Sequence, residues 1–248
     1  MAEAVVPLDP ALFGPGQARD ARFTVRERWG EMANNPPRTP AYQREFLHRQ
    51  ANEEANVMEQ AAQSLVDFPD EPWEIRLCLA RQCADEGRHV LLYLRLLRER
   101  GIGIGEYPVL NFQYRVLSRI DSLVGRLAVE NRTFEADGLD AATFGVAEAR
   151  KDGDHALADV LDAQQADEIV HVGFANAWIR REVERDPRTV LRMAAAITRA
   201  ARAFATVFEG GMQVRYPVAQ DERREAGFQD REIRVAADLS AARRRGES

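Results

Sequence analysis

Asp85-Glu86-Gly87-Arg88-His89 decides how this chain is read, because it returns as Asp167-Glu168-Ile169-Val170-His171. Each copy holds a Glu-x-x-His. On an α-helix, positions i and i+3 lie on one face, so each copy aims a carboxylate and an imidazole the same way. One such pair can hold one metal ion, and two pairs in a single bundle can hold two.

The flanking periodicity places both copies on helices. Ile75, Leu79, Glu86, His89, Tyr93 and Leu97 form one stripe over residues 73–100, and Leu157, Leu161, Gln164, Glu168, His171, Ala175 and Trp178 form another over 155–184. Upstream, Thr39-Pro40 supplies a hydroxyl N-cap followed by Pro at the first helical position. It opens a helix over 41–67 whose stripe of Leu47, Ala51, Met58, Ala61 and Leu65 includes Glu54. The turn Pro69-Asp70-Glu71-Pro72 joins this helix to the next. Glu54 and Glu86 each lie sixteen residues from its centre, so in an antiparallel hairpin they sit at one depth, about 24 Å from the turn. Glu53 is out of phase, and Glu59 is more than a turn too shallow.

The third long helix is expected to start between Leu110 and Ser118, to reach Ala136, and to be broken by Gly138-Leu139-Asp140. Its inner face selects Glu135, with Glu130 as the alternative. Lys151-Asp152-Gly153-Asp154 combines a C-terminal Gly with an Asp N-cap, which starts the fourth helix at His155. The expectation is an all-α fold. Residues 1–39 form an N-terminal arm with a short helix near Val25–Met32. Residues 40–184 form a four-helix bundle with a long crossover between its second and third helices. Residues 185–248 pack on it as a further helix, closed by Gly210-Gly211, and a tail with a terminal helix over Arg231–Arg243. If the second and third helices run parallel, residues 101–113 have to be stretched and non-helical, because they must return roughly 50 Å.

One carboxylate from each of two helices (Glu54, Glu135) and a Glu-x-x-His from each of the other two (Glu86/His89, Glu168/His171) is the ligand set of dinuclear iron and manganese carboxylate bundles. Four inward carboxylates repel one another strongly if left ionised, and two divalent ions remove that difficulty. Imidazole with carboxylate suits iron or manganese better than calcium or magnesium. Tyr93, one turn past His89, is a candidate radical or hydrogen-bonding partner. Asp85 and Asp167 point about 100° away from the ligand face and are expected to pair at the surface. His48 and His155 read as ordinary surface or capping residues.

Composition restricts the remaining classes. A net charge of −6, with Lys151 the sole lysine, gives no nucleic-acid signature. No apolar run is long enough to span a membrane, and Met1-Ala2-Glu3-Ala4-Val5-Val6-Pro7 lacks the features of a signal peptide, so the protein reads as cytoplasmic. Cys78 and Cys83, five apart on one helix, face differently and read as two buried small residues.

The chain resembles the ferritin-like di-iron carboxylate superfamily. Within it, the chain is most similar to a bacterial ferritin-like domain-of-unknown-function family related to tRNA-hydroxylase-like di-iron proteins. The resemblance covers about residues 45–230. It rests on Phe68-Pro69, Asp85-Glu86-x-x-His89, Phe134-Glu135-Ala136-Asp137-Gly138-Leu139-Asp140, Asp167-Glu168-x-x-His171-Val172 and Arg223-Arg224-Glu225-Ala226-Gly227-Phe228. The chain departs from it at Leu110, where a His is expected after the crossover Pro. The resemblance implies that Glu54, Glu86, His89, Glu135, Glu168 and His171 are the metal ligands. It implies two iron ions, or manganese, or one of each, with dioxygen as co-substrate and an external electron donor. The activity so implied is an oxidase or oxygenase that hydroxylates, desaturates or N-oxygenates a small organic substrate. The alternatives are iron oxidation or peroxide removal of the ferritin or rubrerythrin kind, and a metal-free binding bundle. A homodimer is compatible with all three.

Overall fold

The computed structural model describes residues 8–209 and 216–245. The dominant elements are four long helical runs: α1 (Pro40–Asp67), α2 (Trp73–Glu99), a third run made of α4 (Leu123–Val129), a π-helical segment (Glu130–Glu135) and α5 (Ala136–Lys151), and α6 (His155–Arg185). Thr39 caps α1 by accepting the Tyr42 N–H at 3.1 Å, and Asp154 caps α6 by accepting that of Leu157 at 3.2 Å. Gly153, with φ at +75°, makes the tight turn before Asp154.

Polar contacts along the helices give their directions. Glu74 meets Arg181 at one end of α2 and Arg100 meets Asp154 at the other, so α2 and α6 are antiparallel. Arg126 reaches Ser64 and Asp67, so the third run is antiparallel to α1 and therefore parallel to α2. That arrangement requires a crossover, which occupies residues 100–122.

The crossover differs from the stretched chain expected. It contains strand β2 (Val109–Leu110) and a separate short helix, α3 (Phe112–Leu117), and the third run begins only at Leu123, behind the N-cap Ser122. The later start supplies the extra chain, so nothing need be stretched. β2 pairs in parallel with β1 (Val25–Arg26) of the N-terminal arm, and the side chains of Asn52 and Asn56 donate to the Leu110 carbonyl at 2.9 and 3.2 Å. Gly105 allows the arm to lie this close, since a Cβ there would fall 2.0 Å from the Arg22 carbonyl oxygen. The arm thus carries a strand and a 3-10 turn at Trp29–Glu31 where a helix was expected.

Gly138-Leu139-Asp140 does not break the third run either. Leu139 and Ala136 are fully buried beside Val172 of α6, and Gly138 faces open space, so packing holds the helix through a residue of low propensity.

Three further helices follow: α7 (Thr189–Val207), α8 (Gln220–Glu225) and α9 (Asp230–Arg244). α7 lies on α4, with Ala196 against Gly125. α8 and α9 cover α5 and α6 through Ala226, Phe228 and Ile233, and Arg223 is fixed to Asp140. Gly210-Gly211 lie outside the described residues. The chain is mostly helical, and among the described residues no helix is long and apolar enough to cross a membrane.

Two apolar layers bracket the middle of the four runs. One contains Leu47, Ala51, Leu96, Leu97 and Val160, the other Ile75, Leu79, Leu123, Leu127 and Ile179. The polar residues of the site lie between them.

Candidate metal centre

α1, α2, the third run and α6 bring all six expected residues together. Glu54, Glu86, His89, Glu135, Glu168 and His171 are each at most 4% exposed. Their donor atoms fall into two groups, Glu54–Glu86–His89–Glu168 and Glu86–Glu135–Glu168–His171, within each of which all atoms lie within 4.8 Å of one another. Glu86 and Glu168 belong to both groups. Two adjoining sites sharing two carboxylates is the geometry that one Glu-x-x-His on each of two antiparallel helices produces.

The histidines are oriented alike. His89 Nδ1 faces Glu86 at 3.0 Å and Glu54 at 3.2 Å, while His171 Nδ1 faces Glu86 at 3.1 Å and Glu168 at 3.6 Å. Their outer nitrogens meet the aspartates that precede the motif glutamates, but crosswise. His89 Nε2 lies 3.0 Å from Asp167, and His171 Nε2 lies 3.3 Å from Asp85. Arg88 donates to both aspartates, at 2.9 and 2.7 Å. This corrects the expectation that Asp85 and Asp167 only pair at the surface: each points away from its own glutamate and thereby reaches the facing helix. A carboxylate on the far nitrogen fixes a histidine's tautomer and ring plane and raises its basicity as a ligand.

A third pair of polar residues repeats the same symmetry. Gln164 Nε2 donates to Glu54 at 3.0 Å, and Gln82 Nε2 donates to Glu135. Each glutamine lies four residues before its motif glutamate. The unit that repeats is therefore Gln-x-Ala-Asp-Glu-x-x-His-Val, over residues 82–90 and 164–172, and comparing the two copies beyond Glu-x-x-His reveals Gln82 and Gln164.

Glu130 and Glu135 are both buried. Five residues on an α-helix turn the side chain by about 140° away from its starting face. The π segment, with hydrogen bonds spanning five residues, stacks Glu130 and Glu135 on the same side. Thr133 Oγ1 donates to the Ala128 carbonyl across the widened turn at 3.0 Å. Glu130 stands outside both donor groups and faces the Gln60 amide. Glu135 also accepts from Asn131 at 2.6 Å. The two demoted glutamates are engaged elsewhere, Glu59 by Arg19 and Glu53 by Arg49.

Charge in the cluster is frustrated without a cation. Burial raises Glu54, Glu130, Glu135 and Glu168 above the ordinary carboxylate range, and the neighbouring charges of Glu86 and Glu168 add to it. Burial pushes Glu86 up as well, but the adjacent His171 and His89 imidazoles hold it at about 2. Burial alone would lower the histidines, yet the carboxylates around them raise His89 to about 11 and His171 to about 12. Three inward atoms, Glu86 Oε1, Glu168 Oε2 and His171 Nδ1, make no hydrogen bond of good geometry. Buried polar atoms are rarely left so, and divalent cations would satisfy all three while neutralising the carboxylates. The residues fit metal.

Tyr93, fully buried, donates to Gln164 Oε1 at 2.8 Å and so connects through Gln164 to Glu54. On the opposite side a cavity of about 20 Å³ is lined by Gln60, Ser64, Gln82, Arg126, Glu130 and Asn131 among others. His48 is not a surface residue as expected. It is fully buried between Phe23 and Tyr107, and its Nε2 accepts the Gly105 N–H at 2.8 Å, which pins the crossover to α1. Cys78 and Cys83 are half-buried free thiols.

Residues 12–234 match the family described as "Protein of unknown function (DUF455)". The chain belongs to that family. The match spans every element that lines the centre and ends within α9. No curated protein and no solved structure matches the chain.

Proposed function

We propose that the chain is a ferritin-like dinuclear carboxylate oxidoreductase of the cytoplasm, holding two iron ions or a manganese–iron pair. The observation that carries this reading is the pair of buried donor groups sharing Glu86 and Glu168. An antiparallel α1/α2 hairpin, a long crossover and a second hairpin with this ligand set also describe the ferritin-like di-iron bundle. When bound, the metal pair supplies redox equivalents for dioxygen chemistry on a small organic molecule, with an external electron donor resetting it.

The chain's own residues have separable tasks. His89 and His171 present Nδ1 inward while Asp167 and Asp85 hold the Nε2 protons. The apolar layers above and below exclude water from the centre. The Tyr93 hydroxyl, Gln164 and Glu54 form a continuous hydrogen-bonded chain from the first site to a buried phenol, able to hold a proton at the phenol oxygen. Glu130 places a further carboxyl between the second site and the cavity.

The size of that cavity favours a second reading. About 20 Å³ suits water-sized molecules and is small for an organic substrate, which would need the wall to open. Ferrous-ion oxidation or peroxide reduction requires no such opening. Anaerobic titration with ferrous ion followed by an oxygen electrode tests both. Two ions bound per chain and oxygen uptake are expected. Failure to bind iron or manganese ends both readings and leaves a metal-free bundle.

A further inference from the structure

The accessory segments cover the four long helices unevenly. The arm and crossover lie on α1, α7 lies on α4, and α8 and α9 lie on α5 and α6. Among the described residues none of them lies on the outer face of α2. There Trp73, Leu77 and Leu91 stand 75%, 62% and 67% exposed. These belong to a series, Trp73, Leu77, Ala80, Ala84, Gly87, Leu91 and Leu94, spaced alternately by four and three residues, of which Gly87 and Leu94 are half-buried, Leu94 against the apolar layer that contains Leu47 and Leu97. That spacing is the seam of a paired helix, and it runs the length of α2 on the side opposite Glu86 and His89.

We propose that this seam is the interface of a homodimer in which α2 packs antiparallel against α2 of a second copy. The order of side chains is self-complementary about Ala84. Reversed, Trp73 meets Leu94, Leu77 meets Leu91, and Ala80 meets Gly87, with large residues at both ends and small ones at the crossing point. An isologous twofold contact requires that symmetry, and a heterologous partner does not. At the ends exposed Glu74, which pairs with Arg181 in its own chain, comes opposite exposed Arg95, which pairs with Glu99. Arg81 and Arg88 approach each other nearer the axis, but each already has Asp85 as a partner within its own chain.

Area supports the same occupant. From Trp73 to Leu94 the face is about 32 Å long, and with the α1 flank it is about 20 Å wide. Its projected area of roughly 600 Å² is of the order of the ~800 Å² that each partner gives to a standard interface. Gly87 fits this assignment. A Cβ there would meet only Met58 Sδ, at an ordinary 3.5 Å, so packing within the chain does not demand the glycine, whereas a second helix crossing at that point does. The proposal stands whether or not the centre holds metal.

Sedimentation of the full chain at micromolar concentration tests it, with a dimer expected. Leu77→Glu combined with Leu91→Glu should give a monomer of unchanged helical circular dichroism. In a Cys78→Ser/Cys83→Ser background, Ala84→Cys should cross-link across the axis under mild oxidation, and Val190→Cys on exposed α7 should not. A monomeric parent chain would overturn the proposal. So would a dimer that survives the double substitution, or one that cross-links through residue 190 and not residue 84.

Discussion

The two halves of the centre are built from one nine-residue pattern yet end in different surroundings. Around Glu54 the supporting helix is regular, and the path leads through Gln164 to the buried Tyr93 hydroxyl. Around Glu135 the helix is π-bulged, a second carboxyl stands at Glu130, and a small, mainly apolar cavity adjoins. The repeat on α2 and α6 supplies what both sites need alike, a shared glutamate, a strapped histidine and a glutamine. The helices that face them, α1 and the third run, supply the difference. In the proposed reading, holding ions is the symmetric task, and the halves differ in what adjoins them, a buried phenol on one side and a cavity on the other.

Substitution of a shared residue should have the largest effect. Glu86→Ala or Glu168→Ala is expected to reduce metal content from two ions per chain to fewer than one, measured by elemental analysis after loading. Retention of one tightly held ion would show that the halves are independent. Next come the unshared glutamates. Glu54→Gln should empty its half, whereas Glu135→Gln should retain part of its occupancy because Glu130 can turn to replace it. Adding Glu130→Gln to the second variant should remove that remainder. Equal losses in Glu54→Gln and Glu135→Gln would erase the asymmetry.

Weaker effects test the straps. Asp167→Asn should weaken binding beside His89, and Asp85→Asn beside His171, each by about 10- to 100-fold. Tyr93→Phe should leave metal affinity unchanged and cost about 1 kcal/mol of stability through the lost hydrogen bond to Gln164. An appreciable loss of metal in that variant would place Tyr93 among the ligands.

Acidity distinguishes the metal-free protein from the loaded one. His89 and His171 have folded values raised above their unfolded value, as do Glu54, Glu130, Glu135 and Glu168. Groups raised in the folded state bind more protons folded than unfolded, so their contribution is fully present below the unfolded values and is lost as pH rises through the folded ones. Glu86, held at about 2, has the opposite sign, but its contribution is complete above pH 4.5. The melting temperature of the metal-free chain should therefore fall steadily from pH 5 to pH 9. Metal displaces these protons and binds more tightly as pH rises. At 100 times its Kd, an ion should add ~2.7 kcal/mol, about 5–10 °C in melting temperature.

The sequence was informative wherever one helix's own phase carries the answer. Glu54, Glu86, His89, Glu168 and His171 lie inward because apolar residues share their stripe, and Thr39 and Asp154 cap because hydroxyl and carboxylate side chains accept at those positions. It was uninformative wherever the answer depended on a second element. Asp85 and Asp167 are off-phase on their own helices and acquire a role only from the facing histidine. The π segment has no compositional mark, so the sequence does not show that Glu130 and Glu135 are both inward. Gly138 looked like a breaker because Leu139 and Ala136 find their cover on α6 and α8, far along the chain. His48 reads as a surface or capping residue because nothing local announces that the arm and the crossover close over it.

Anomalous scattering from crystals of the iron-loaded protein tests the central claim most directly. Two iron peaks about 3.5–4 Å apart, between Glu86 and Glu168 and flanked by His89 and His171, are expected. A single peak, a pair lying outside these six residues, or an empty cluster in iron-soaked crystals would contradict the account.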